Sequence, residues 1–500
     1  MSRTIFHFVL VIVLPLAAAA QTDTAEQRAA RYMDSVRRQP LLHAFLHDMP
    51  KGGDLHNHLV GAVYAETFIQ YAAQDGLCVD RQTLALGPPP CEEKTRPPAQ
   101  AALDDPALYA RMVDAFSMRD FQPGAESGHD HFFATFGKFA PAASGHMGDF
   151  LAEVVSRAAA QNEQYLELMV ELQAPVFPLS RNIRWTGNFD DARKALLAAG
   201  LEQAIAGSLK SLDDAEARMR SRLRCGLPSA DPGCRVTVRY ISTVLRAFPP
   251  PQVFAQALAG FEMASRDPRV VSVNPVQPED EYVPRHDFAL HMQMFGYLHE
   301  LYPKVHLTLH AGELAPGLVA PEDLRSHIRD SIELGHAARI GHGVDVMYES
   351  DPRGLLQEMA RRKILVEICL TSNDVILGVS GSRHPLPVYL QKGVPVALAT
   401  DDEGVSRSDL TREYQRAVED FGLGYSDLKT MARNSLEHAF LPGASLWAQT
   451  SPFRMAPACA GDAAGVPHTS PACAKLLQSS ERARLQWELE KAFSSFEKSF

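Results

Sequence analysis

Apolar residues fall along this chain in short runs separated by longer amphipathic stretches. The first run is Gly53-Asp54-Leu55-His56-Asn57-His58-Leu59, and others follow at 165–170, 236–244, 270–273, 304–310, 338–341, 364–369 and 394–399. Between them, 190–224, 251–265, 286–301, 321–334, 352–362 and 386–392 carry helical spacing, and helices are expected from 400 to the end. Several of the runs are continuously apolar, as strands buried on both faces are. Strand and helix alternating over this length predict a parallel sheet, and about eight units is the number that closes a (β/α)8 barrel of the TIM type. The alternative is an open doubly wound sheet, but no glycine-rich phosphate loop follows the first strand to support it.

The flanks read differently. Arg3, the apolar stretch 5–16 and Ala18-Ala19-Ala20 form a signal-peptide pattern over 1–20, with an apolar segment too short to span a bilayer comfortably. An exported chain, periplasmic or secreted, is therefore expected, with no membrane association after cleavage. Residues 21–48 read as an N-terminal helical extension that packs outside the core or joins a partner chain. The barrel is expected over 49–445, with an insertion near 77–130, and a C-terminal loop and helix over 446–500. The aromatic stripe 131–139 reads as core packing or, alternatively, as an apolar wall or lid over a ligand pocket.

The 500 residues carry a formal net charge of -11, which argues against nucleic acid or an anionic membrane as a charge-driven partner. Export permits disulfides. The 7 cysteines fall as Cys78 and Cys91, Cys225 and Cys234, and Cys459 and Cys473, each pair around a Pro- or Gly-containing loop, with Cys369 left as a free buried thiol.

Chemistry collects at the predicted strand ends, where barrel enzymes carry their catalytic groups. His56 and His58 share one face of a strand. Such a pair can be simple packing, and the chain holds a second one, His129-Asp130-His131. However, the other strand ends read His310-Ala311-Gly312-Glu313, Gly341-His342-Gly343 and Thr400-Asp401-Asp402-Glu403. His56, His58, His310 and Asp401 can supply the N/O ligands of one zinc ion, which lowers the pKa of a water towards neutrality. His342 is the candidate base for that water. Glu313, one turn after His310, is the candidate acid, and Asp402 can orient the base or hold a substrate N–H. Other metals also accept such a ligand set.

These residues, with Met49-Pro50-Lys51, Glu367-Ile368-Cys369 and Ser372-Asn373, resemble the adenosine deaminase family of metal-dependent hydrolases in order and spacing over 49–440. The signal peptide, extension and Cys-containing insertion are similar to the secreted growth-factor branch, which by analogy implies a homodimer. The resemblance implies attack of zinc-activated water on C6 of a 6-aminopurine nucleoside, adenosine or 2′-deoxyadenosine, with loss of ammonia. Glu313 would protonate the purine N1, His342 would orient the water, and Asp402 would reach N7. The small-molecule purine is then the expected partner.

Three positions depart from the family pattern. Val60 stands where an aspartate usually meets the ribose. Asn274-Pro275-Val276-Gln277-Pro278-Glu279 replaces the loop whose glycine meets the purine, which makes Gln277 a candidate substrate contact. Glu403 follows the paired aspartates where relatives often have proline. Another amino-purine or modified nucleoside is therefore a second expectation, and a secreted binding or signalling protein with little turnover is a third.

Overall fold

The computed structural model describes residues 23–500 apart from 173, 182 and 465–468; the expected signal peptide lies outside the described residues. Eight strands pair in chain order in one parallel sheet: β1 (Gly52–His58), β2 (Glu163–Val170), β3 (Thr237–Leu245), β4 (Val270–Val276), β5 (His306–Ala311), β6 (Arg339–His342), β7 (Leu365–Ile368) and β8 (Val396–Leu398). The last strand meets the first through a parallel bridge between Asn57 and Asp401. There the His58 amide donates to the Asp401 carbonyl at 2.9 Å, and the Asp401 amide donates to the His56 carbonyl at 2.9 Å. The bridge brings the sheet round into a barrel, as the apolar runs predicted. The seam lies between the two strands that carry His56, His58, Asp401 and Asp402.

The strands hold because their side chains are buried on both faces, which in parallel sheets favours unbroken apolar runs. Leu55, Leu166, Leu168, Tyr240, Val273, Leu307, Leu309, Ile340, Val366 and Ile368 all lie in the core. At the start of β1 the buried ammonium of Lys51 donates to the carbonyls of His47, Met49 and Gln161, so the motif Met49-Pro50-Lys51 ties the preceding helix to the barrel.

Several boundaries differ from the sequence expectation. Strand β4 continues past 273 to Val276, so Asn274 is a strand residue and not part of a loop. The stretch 190–224 is two helices, Phe189–Ala198 and Leu201–Arg222, parted at Gly200, whose φ of 102° lies in the left-handed region. The stretch 321–334 is a 3₁₀ turn, Pro321–Leu324, and a short helix, His327–Glu333. The expected C-terminal loop contains an antiparallel hairpin, Trp447–Thr450 with Phe453–Met455. Its Trp447 and Phe453 pack with Trp487 and the Cys459–Cys473 pair in a small core of their own.

The three expected disulfides are present, Cys78–Cys91, Cys225–Cys234 and Cys459–Cys473, and Cys369 is a buried free thiol. The N-terminal extension forms the helices Ala25–Val36 and Leu41–Asp48, interrupted before Leu41 by Pro40. Its apolar face is covered within the same chain. Phe45 packs on Tyr425 and Phe496, and Lys429 reaches both Glu26 and Glu497. Among the described residues no helix is long and apolar enough to cross a membrane.

Candidate active site

The geometry at the C-terminal ends of the strands is fixed from behind by buried charges. Arg339 on β6, 1% exposed, donates to Glu167 at 2.5 Å and to Glu367 at 2.6 Å. Burial works to raise the pKa of Glu367, but Arg339 and His56 hold it down at about 2. A carboxylate can only accept, so His56 must present its Nδ1–H to Glu367, 2.7 Å away. Its Nε2 then carries a lone pair, aimed at the barrel mouth. His310 follows the same logic. Its Nδ1 donates to Asn274 Oδ1 at 2.8 Å, leaving Nε2 as a second lone pair.

Those lone pairs converge with further donors. His58 Nε2 lies 3.3 Å from His310 Nε2 and 3.2 Å from Asp401 Oδ1. His56 Nε2 lies 3.3 Å from the same oxygen and is buried without a hydrogen-bond partner. Ligand-type atoms of His56, His310, His342 and Asp401 lie within 4.8 Å of one another, as do those of His58, Asp401 and Asp402. Imidazole lone pairs gathered round a carboxylate repel one another unless positive charge sits among them. Burial works against protonation of His56, yet Asp401 and Glu367 outweigh it and raise its pKa to about 10, so these two carboxylates favour positive charge at this ring. The donor set fits a divalent ion of the zinc type. Ser372 Oγ donates to the other oxygen of Asp401 at 2.6 Å and fixes its plane.

The acid/base candidates stand beside this cluster. Glu313 lies in the loop that follows β5, not a helical turn after His310 as expected; Gly312, with φ of 74°, swings the chain there. Glu279 receives the amides of Gly312 at 3.1 Å and Glu313 at 2.9 Å, which anchors the loop. Burial, then the Asp401 and Glu279 carboxylates, push the Glu313 pKa well above the usual range. Its Oε1 lies 3.6 Å from His342 Nε2, a buried atom without a hydrogen-bond partner. Burial lowers the pKa of His342 to about 3, so the ring is neutral. The Oδ1 of Asp402 is buried and likewise unpartnered; a Cβ on Gly61 would lie 1.5 Å from it, so only glycine leaves room for this carboxyl.

A cavity of about 410 Å³ opens on these groups. His58, His310, Glu313, Asp401 and Asp402 line it, with an apolar wall of Phe132, Phe133, Phe136, Leu245, Phe248, Val276 and Ile376. Its remaining lining residues are Glu171, Gln277, Pro278 and Glu281, so that among the described residues facing the cavity none is lysine or arginine. The aromatic stripe thus serves both of its readings: Phe132 and Phe139 are core residues, and the helix Gly128–Phe139 also walls the cavity. The second His-x-His is helical, so His129 and His131 diverge. His129 meets Asp280 at 2.9 Å, while His131 meets Glu126 at 3.0 Å.

Gln277 lines the cavity at the end of β4, but its side-chain oxygen is already taken by the amide of Ala247 at 2.9 Å. Val60 packs half-buried against the core and is not among the cavity residues. Glu403 lies behind the site and accepts from Arg157 Nη2 at 2.8 Å and, at 3.4 Å, from Asn57. Three non-glycine residues at strand ends have left-handed backbones, Gln277 (φ 87°), His342 (φ 66°) and Asp401 (φ 61°), the kind of strain that collects at functional sites.

Sequence reading did not assign roles to Glu367, Asn274, Arg339, Glu279 or Arg246. For Glu367, Asn274 and Arg339 the signal was a polar residue inside a strand, which must find a buried partner; Glu279 and Arg246 lie just past strand ends and gave no such signal.

A family profile for adenosine deaminase matches residues 151–446. The adenosine deaminase of Escherichia coli (strain SE11) is 39% identical over 137 residues, 27% of this chain and 38% of that protein, so the likeness spans well under half of the relative. Among solved structures, Arabidopsis ADAL complexed with IMP superposes with a TM-score of 0.52 at 20% identity, covering 79% of this chain and 93% of that one. The Arabidopsis N6-mAMP deaminase MAPDA gives 0.51 at 20% identity, covering 80% and 96%. These two share the fold.

Proposed function

The chain belongs to the adenosine deaminase family, and from that premise we propose that it is a zinc-dependent aminohydrolase that converts adenosine or 2′-deoxyadenosine to the inosine counterpart and ammonia. The convergence of His56, His58, His310 and Asp401, with two imidazole tautomers set by Glu367 and Asn274, carries this reading. These four would hold one zinc ion, which when bound lowers the pKa of a water towards neutrality.

The chain's own groups account for the rest. Neutral His342 accepts from Asn373 Nδ2 on Nδ1 at 3.0 Å, so its Nε2 carries the hydrogen, and that N–H donates to the oxygen of the attacking water and orients it. Glu313 carries a proton at neutral pH and gives it to the purine N1 as C6 is attacked, so that charge does not build on the ring. The Asp402 carboxyl takes the N7 side. The phenylalanine wall excludes water and offers a flat apolar surface to the base.

Solved neighbours are described as an N6-mAMP deaminase and as an IMP complex. A cavity lined by Glu171, Glu281 and Asp401, with no lysine or arginine facing it among the described residues, disfavours a phosphate and supports a nucleoside over a nucleotide. Val60 leaves another amino-purine or modified nucleoside as the second reading. Three disulfides support export to an oxidising compartment.

The test is metal analysis of the purified mature chain together with ultraviolet assays on adenine, adenosine, 2′-deoxyadenosine, AMP and N6-methyl analogues. Stoichiometric zinc with turnover of nucleosides but not AMP is expected. A metal-free protein without turnover would leave a binding or signalling role, and preferential turnover of AMP would overturn the nucleoside assignment.

A further inference from the structure

Arg246 follows β3 directly and is 1% exposed, one of the largest side chains sealed inside the protein. Among the described residues it faces no carboxylate at hydrogen-bond distance. Its fork is spent on two carbonyls at the ends of neighbouring strands. Nε and Nη2 donate to the Gln277 carbonyl at 3.0 and 2.8 Å, and Nη1 donates to the His310 carbonyl at 3.3 Å. The next residue continues the grip, for the Ala247 amide donates to the Gln277 side-chain oxygen at 2.9 Å. Sealing a guanidinium costs several kcal/mol in lost hydration, so its donors mark a geometry that the fold must hold.

What they hold is strained. Gln277 has φ of 87°, a left-handed backbone that glycine adopts freely and an L side chain adopts only at a cost. It also lines the cavity beside His310 and Glu313. Three donors therefore fix both ends of one residue, the main-chain carbonyl and the side-chain amide, in a conformation the chain would otherwise leave.

We propose that Arg246 is a positioning residue that holds the main chain of Gln277 in its left-handed turn against the bound purine. This inference rests on the reading of the cavity as a purine site, and acts on substrate fit more than on chemistry. The two shorter bonds of Arg246 go to Gln277 and only the 3.3 Å bond goes to the main chain of His310, so its loss shifts KM before kcat.

Four variants decide it: Gln277→Gly, Gln277→Ala, Arg246→Lys and the double variant Arg246→Lys/Gln277→Gly. Without any assay of turnover, Gln277→Gly should melt above Gln277→Ala, the reverse of the order at ordinary positions; Gln277→Ala melting at or above Gln277→Gly would overturn the strain. Arg246→Lys keeps the charge and loses the fork. It should raise KM for the nucleoside about tenfold with kcat changed less than about threefold, and by about threefold or less when Gln277 is already glycine. An equal KM penalty in both backgrounds would show that Arg246 does not act through Gln277. A wild-type chain with no purine turnover would overturn the cavity reading and the substrate-facing half of the proposal, while melting still decides the clamp: Arg246→Lys should lower the melting temperature less when Gln277 is already glycine, and an equal loss in both backgrounds would overturn it.

Discussion

His56 Nδ1 lies 2.7 Å from Glu367 Oε2, and that contact decides which nitrogen of His56 faces the barrel mouth. Glu367 is itself pinned by Arg339 and by the Thr308 hydroxyl at 2.8 Å. Glu367→Gln keeps the shape but loses the obligatory acceptor. Metal affinity should fall about 10- to 100-fold, as for other carboxylate partners behind a metal-ligating histidine. Competition with a chelator of known affinity measures it; unchanged affinity would mean that Glu367 does not set the tautomer.

Asp401 and Glu313 should separate cleanly. Asp401→Ala removes a carboxylate that meets both His56 and His58, at 3.3 and 3.2 Å, and should lose the metal. Glu313→Gln should keep the metal and lose kcat by about 10² or more, because its proton and not its shape is required. Metal content and kcat on the same preparations check both, and a Glu313→Gln protein with near-normal turnover would remove it as the acid.

The sequence made the barrel and the front of the site legible because both rest on residue type and period. Apolar runs at near-regular spacing can only be satisfied by a sheet buried on both faces, and His56-Asn57-His58 in such a run leaves both rings on one side. The supports behind it were hidden, since Arg339, Glu367, Asn274 and Arg246 meet partners 28 to 64 positions away or more, which periodicity does not encode. The apolar run 270–273 marked only the first part of β4; the strand runs on to Val276 with Val244 paired to Pro275. The hairpin around Trp447 was missed because it exists only through packing on Trp487 and the Cys459–Cys473 pair.

Glu279 makes acid stability testable. It accepts from His327 Nδ1 at 2.5 Å and from the amides of Gly312 and Glu313. Burial works to raise its pKa, but His327 and these donors hold it at about 2 against an ordinary 4.5. A depressed carboxylate contributes stability above pH 4.5 and loses it as pH falls through 4.5 towards 2. Glu279→Gln should therefore be destabilised by up to about 3 kcal/mol at pH 7, with the gap to wild type closing across that acid window. Denaturant melts of both proteins at a series of pH values check it; a gap independent of pH would assign the loss to packing.

The wall of the cavity is latched by His129, whose Nε2 lies 2.9 Å from Asp280 in the loop after β4 while Nδ1 lies 3.0 Å from Asp130. This ties the helix Gly128–Phe139, and with it Phe132, Phe133 and Phe136, to the loop that begins at Gln277. Burial lowers the His129 pKa, but hydrogen bonds to Asp280 and Asp130 outweigh it and raise it above 6.5. A raised histidine contributes its full stabilisation below pH 6.5 and loses it as pH climbs through the folded value. The latch should then be tight at pH 6 and looser at pH 8.5, with amide protection of the helix, corrected for intrinsic exchange, falling about fivefold, ~1 kcal/mol. His129→Gln should show the looser protection at both pH values and a raised KM for the nucleoside at pH 6. If protection of the helix did not differ between wild type and His129→Gln at pH 6, the aromatic wall would be held by its core phenylalanines alone.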